Sequence, residues 1–160
     1  MTFNELVKKL VFAAMTAYWP LWIFGIIIIL IDFFVLKSKT QAFIITVLSF
    51  TAAAAIIHEM GHIIGIKIIA KLPFGSIQII SRLFQITLNH PPIDKNFWMI
   101  VASGSLMNIL IGAVGWFIIP DASYRFMWTI FQISFGIINL MPFSPDGEKL
   151  FAYFKFKEQV

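Results

Sequence analysis

The sequence predicts an all-α polytopic membrane protein with about four transmembrane helices and a membrane-associated β-hairpin between the second and third. Three observations carry this. The chain of 160 residues is 59% hydrophobic and only 12% charged, too few charges to cover the surface of a soluble globule of this size. Its apolar runs are long enough to cross a bilayer. One internal segment alternates apolar with polar residues, the period of a strand. Disorder is excluded by the same apolar content.

Residues Asn4 to Trp19 place Leu6, Leu10 and Ala14 at helical spacing beside Lys8 and Lys9, the pattern of an interfacial helix ending near Pro20. The competing reading, a secretory signal, lacks a small-residue cleavage site before a soluble domain, so the segment is expected in the mature protein. A first span follows over about 18–36, interrupted only by Asp32 and closed by Lys37-Ser38-Lys39. Asp32 reads as an acid snorkelling to the outer interface. A second span runs from Gln41 to about Ala70. At 1.5 Å per residue, these roughly 30 residues extend about 45 Å, so one end projects past the hydrocarbon. The third covers about 97–119 and the fourth about 126–141. Between the second and third, Ile77-Gln78-Ile79 and Phe84-Gln85-Ile86-Thr87-Leu88 alternate and are flanked by Pro73, Gly75 and Pro91-Pro92, which predicts two short strands. An irregular surface loop is the other reading. The whole chain is read as one domain, 1–160: an interfacial helix and accessory span over 1–40, a core over 41–147 and a tail over 148–160.

The twelve Lys and Arg are scattered between apolar runs rather than gathered into a phosphate-binding stripe, so no nucleic-acid partner is expected. Their distribution predicts orientation instead. With the N-terminus inside, nine basic residues fall in inner segments and only Lys37, Lys39 and Arg125 in outer ones, which predicts a multi-pass cell-membrane protein with cytoplasmic termini and the lipid bilayer as its surroundings. There is no cysteine; any metal must be held by histidine and carboxylate.

The second span contains His58-Glu59-Met60-Gly61-His62. On a helix, residues at i and i+4 share one face, so both imidazoles can ligate a single Zn²⁺ while Glu59 takes a proton from the water it activates. The bland reading makes the two histidines helix-packing residues. Against it stands the cost of inserting two imidazoles and a carboxylate into an apolar helix, on the order of a few kcal/mol, which makes such residues functional by default. Catalytic zinc generally takes a third protein ligand. Sidedness sets aside Asp32 and Asp121 and leaves Asp94, Asp146, Glu148 and His90. Asp146 lies in Pro145-Asp146-Gly147, which is also a turn signature in its own right.

A membrane-embedded HExxH followed by Asn139-Leu140-Met141-Pro142-Phe143-Ser144-Pro145-Asp146-Gly147 resembles the site-2 protease family of intramembrane zinc metalloproteases, here a minimal member without PDZ or CBS domain. The resemblance covers most of the chain from about Ala52 to Gly147. It implies that His58, His62 and Asp146 are the zinc ligands, Glu59 the catalytic carboxylate, and the substrate a membrane-spanning or membrane-inserted peptide cleaved near the cytoplasmic face. It also leaves room for a separate regulatory protein. Ser103-Gly104-Ser105-Leu106-Met107-Asn108 resembles the Gly-Pro-x-x-Asn stretch of the family's middle core helix, with Ser105 where Pro is common. Asn108 reads either as an interhelical residue or as a substrate contact, and Asn139 and Gln85 are further candidate substrate contacts. Gly61, Gly65 and Gly104 read as close-packing positions. One departure stands out: Asn139 and Asp146 are seven positions apart where the family pattern has eight, with Glu148 the competing ligand. The alternative function is a non-catalytic zinc-binding membrane protein acting as an assembly or immunity partner. A metal transporter would need polar residues on several spans, and here they concentrate on one helix and one loop.

Overall fold

The computed structural model describes residues 1–36, 41–93 and 96–157. The Lys37-Ser38-Lys39 stop and the candidate Asp94 lie outside them. Among these residues, six α-helices and one two-stranded sheet form: α1 (Phe3–Ala17), α2 (Trp19–Ile31), α3 (Gln41–Ile69), β1 (Gln78–Arg82), β2 (Gln85–Asn89), α4 (Phe97–Ile118), α5 (Ala122–Leu140) and α6 (Pro145–Lys157). Two helices, α3 and α4, are long and apolar enough to cross a membrane. The number rises to four if the bent pairs α1–α2 and α5–α6 each count as one span.

Helix α1 opens on a capping box, in which the Thr2 hydroxyl accepts from Glu5 N–H and the Glu5 carboxylate from Thr2 N–H, satisfying two donors at the helix start. Its apolar stripe does not face a membrane interface as expected. Leu6, Leu10, Ala13, Ala14 and Ala17 are buried in a core with Ile63, Ile66, Ile77, Ile86 and Ile100, because α1 lies against β1 and α3. The chain turns by 60° between α1 and α2. Pro20 is the cause: it lacks an N–H, and its ring would meet the carbonyl one turn back, so α1 stops at Ala17 and Pro20 takes an early position in the new helix. The expected first span is therefore a break at Tyr18 followed by α2 and a π-helical turn over Asp32–Leu36. Asp32, expected to snorkel outward, is buried and has an interaction partner.

The two expected strands form, each starting one residue later than the sequence suggested and β1 running on to Arg82, with Gln78 opposite Asn89 and Arg82 opposite Gln85 across the two-residue turn Leu83-Phe84. Phe84 holds a left-handed φ of 57°, unfavourable by about 1–2 kcal/mol for a residue with a Cβ. Helix α1 compensates by fastening the hairpin. Phe84 N–H donates to Ala17 O at 2.9 Å, Ser81 Oγ to Ala13 O at 3.1 Å and Thr16 Oγ1 to Ser81 Oγ at 2.9 Å.

Helices α3, α4 and α5 form the central layer. Helix α3, 29 residues and about 44 Å long, meets α4 through small residues. A Cβ on Gly61 would stand 2.5 Å from Ser103 O and 2.8 Å from Gly104 Cα, so the two backbones touch in the manner of small-residue membrane packing. Helices α4 and α5 are antiparallel neighbours across Ile119-Pro120-Asp121, where the Asp121 carboxylate caps α5 by accepting from Tyr124 N–H at 2.9 Å. Residues 145–157, expected as a turn and tail, form α6 instead: Pro145 is its first residue, a position where a missing N–H costs nothing.

Gly61→Ala should destabilise the α3–α4 contact by about 1–3 kcal/mol, because the added methyl meets backbone that cannot rotate away. Thermal unfolding in detergent should show a lowered midpoint. An unchanged midpoint would mean that the helices separate freely.

Candidate metal centre

His58 and His62 project from one face of α3, their rings edge to face with centroids 4.6 Å apart. They are seated against α4 at Gly104, where a Cβ would lie 2.5 Å from His62 Nε2 and 2.9 Å from His58 Cε1. Phe135 of α5 closes the far side of His58, with centroids 5.7 Å apart. The third member arrives from α6. Asp146 Oδ2 is 2.9 Å from His58 Nε2 and 2.9 Å from His62 Nε2, and the two nitrogens are 3.1 Å apart.

A tight turn at Ser144 delivers this carboxylate over the seven positions from Asn139. The Ser144 N–H donates to Met141 O, its hydroxyl donates to Asn139 O at 2.7 Å and accepts from Gly147 N–H at 3.0 Å. Gly147 is required at that point, since a Cβ there would overlap the Met141 carbonyl. Pro-Asp-Gly is thus a first helical turn, with Asp146 aimed at the histidines. The competing Glu148 is exposed on the opposite side of that turn, and His90, whose Nδ1 donates to Pro91 O at 2.8 Å, is not in the cluster.

The hydrogen bonding tests whether a cation fits. His62 Nδ1 lies 2.8 Å from Ile100 O, an atom that only accepts, so Nδ1 carries the proton and a neutral His62 offers a lone pair at Nε2. That lone pair faces Asp146 Oδ2, itself an acceptor, at 2.9 Å. Two acceptors at this distance repel unless a positive centre lies between them. A backbone carbonyl on the remote nitrogen is also the usual partner of a metal-bound imidazole. Tetrahedral zinc with ligands at about 2.0–2.1 Å sets those ligands about 3.3 Å apart, close to the observed 2.9–3.1 Å. These three residues, the group among the described residues able to share a metal ion, fit zinc.

A cavity of about 520 Å³ opens on the cluster and is walled by Glu59, the hairpin stretch from Phe84 to Leu88, Asn139, Lys149 and Tyr18. Asn139 anchors its amide to Phe135 O at 2.9 Å, and Gln85 stands exposed on β2. Asn108 is elsewhere. It has no exposure and packs against Gly136 of α5 one helical turn beyond Gly104, outside the residues that line the cavity. Tyr18 was missed in the sequence, where Pro20 marks the break but nothing local indicates that the break folds over the site. Lys149, 3.5 Å from Asp146 Oδ1, was likewise unmarked. No protein-family model, curated protein or solved structure matches this chain.

Gly104→Ala should push the imidazoles off α4 and raise the zinc dissociation constant by about 10–100-fold, the range for losing support around a ligand. Competition with a chromophoric chelator measures it, with circular dichroism confirming that the helices persist. Unchanged affinity would show that α4 yields.

Proposed function

We propose that this protein is an intramembrane zinc metalloprotease of the site-2 protease kind, hydrolysing peptide bonds of membrane-spanning or membrane-inserted substrates near the cytoplasmic face. The observation that carries the reading is the convergence of His58, His62 and Asp146 on one point of a span-length helix, with Glu59 on the wall of the same cavity. Four transmembrane passes, with the hairpin lying at the membrane, accompany this reading. A structural zinc site would be closed by four protein ligands; three ligands beside a cavity favour catalysis over the assembly-partner alternative.

Zinc held by the three residues would polarise the scissile carbonyl and lower the pKa of water. The remaining work belongs to the chain. Glu59 is the carboxylate placed to take the proton of the attacking water and return it to the leaving nitrogen. The α3 glycine face packed on α4 keeps the imidazoles from rotating. The hairpin supplies an extended template. Arg82 and Gln85 close a two-residue loop and so form a hydrogen-bonded pair; by antiparallel alternation Thr87 and Asn89 also bond to β1, whereas Ile86 and Leu88 direct N–H and C=O to the free edge of β2. A substrate segment unwound from its helix can add to that edge beside the metal ligands.

Glu59→Gln should retain zinc and lose about 10²–10⁴-fold in activity, whereas Asp146→Ala should lose zinc affinity as well. Comparing wild type with Glu59→Gln in membrane proteomes detects processing that depends on the carboxylate, and no difference between them would end the protease reading. On the hairpin, Leu88→Pro removes an outward N–H and leaves the β1 bonds in place. Cleavage should fall with zinc content intact, beyond the loss seen in Leu88→Ala, which truncates the side chain alone; equal activity of the two variants would exclude pairing at this edge.

A further inference from the structure

Behind the histidines, the α4–α5 seam holds polar atoms that the fold leaves without partners. Ser105, Asn108 and Gln132 have no exposure, and Ser105 Oγ together with both amide atoms of Asn108 and of Gln132 lack hydrogen bonds. The packing is reciprocal. Asn108 lies over Gly136 of α5, where a Cβ would be 3.4 Å from Asn108 Cβ, and Gln132 lies over Gly112 of α4, where a Cβ would be 3.0 Å from Gln132 Cβ. Each glycine makes room for the amide of the opposite helix. The seam is not polar by neglect, since its outer part is satisfied: Trp128 Nε1 donates to Ile111 O and Thr129 Oγ1 to Gly112 O.

The inner part borders the metal ligands. His58 is wedged between Gly104 and Phe135, the chain neighbours of Ser105 and Gly136, and its Nδ1 is also buried and unpartnered. An imidazole that ligates through Nε2 carries its proton on Nδ1, and such an N–H almost always has an acceptor. Direct pairing of Asn108 with Gln132 would satisfy one N–H and one C=O and leave the second N–H of each, the Ser105 hydroxyl and His58 Nδ1 still unmet. These groups are buried, so bulk water does not reach them. Small molecules that both donate and accept, with two to four polar partners each, meet the requirement.

We propose that the α3–α4–α5 junction is a binding site for a small cluster of ordered water, held by Ser105, Asn108 and Gln132 and accepting the Nδ1–H of His58. The cluster positions His58 as a ligand and hydrates the polar seam. Its link to ligand strength rests on the metal reading above; the hydration itself does not.

The test uses the full chain in lipid nanodiscs with Zn²⁺ alone as probe. With ¹⁵N-labelled Asn, Gln and His, the side-chain amides of Asn108 and Gln132 and His58 Nδ1–H should show magnetisation transfer to water. Asn108→Leu and Gln132→Leu should abolish the His58 transfer and raise the zinc dissociation constant about tenfold. Thr129→Val, which removes a hydroxyl already bonded to backbone, should change neither. Absence of water transfer to both amides in the wild type would overturn the proposal, as would a double Leu variant with wild-type zinc affinity and a raised melting temperature. If no form of the chain binds zinc, the metal reading fails and the amide transfer alone decides whether the cluster exists.

Discussion

The contact on which the rest of this molecule depends is the backbone approach of α3 to α4 at Gly61 and Gly104. Imidazoles on an apolar helix need both room and partners, and a helix pair held apart by ordinary side chains offers neither. With hydrogen at these positions, Ser103 and Gly104 of α4 lie directly on α3 and both histidine rings rest against them. The Ile100 carbonyl then receives His62 Nδ1–H. That one bond decides which nitrogen of His62 faces Asp146. The electrostatics of the cluster follow from a packing arrangement rather than from the motif alone.

The carboxylate depends on a second constraint at the opposite end of the core. Ser144 gathers Asn139 O, Met141 O and Gly147 N–H around one hydroxyl and one backbone N–H, and α6 starts at the next residue. These bonds fold residues 139–147 into a tight turn that ends with Asp146 at the histidines. Glycine at 147 is what lets that path close, since the Met141 carbonyl occupies the space of a side chain. On the open side of the cluster, α1 holds the hairpin down through Ala13, Thr16 and Ala17, and residues 84–88 line the cavity.

Much of this was legible in the residues. The helix holding His58, Glu59 and His62 was readable because a long apolar run carries three side chains so costly to insert only where they are paired or ligated. The hairpin was readable because its alternation is bounded by proline and glycine. Strand starts shifted by one residue and β1 ran three residues further, as turn geometry at Leu83-Phe84 and not local alternation sets the register. The apolar stripe of α1 was visible, but a stripe has no address: lipid and a protein core select the same residues, and here the core won. Asn108 left two readings open because its burial depends on which neighbour its helix face meets. Asp32 and Tyr18 were misplaced or missed for the same reason, since each is positioned by a helix break whose direction no local pattern encodes.

By itself, the sequence determined the mostly helical class of the molecule with its small hairpin, the helical location of two imidazoles and a carboxylate, and the residue types available for a metal. These follow from short-range rules: transfer free energy along an apolar run and the i, i+4 geometry of a helix. Only the tertiary structure decided that Asp146 rather than Glu148 completes the cluster, that α1 covers the hairpin, that Tyr18 reaches the cavity and that Asn108 lies outside it. Those outcomes depend on where separate elements meet, and the free energy of such meetings lies in packing between residues up to 88 positions apart, a term that no window of the sequence contains.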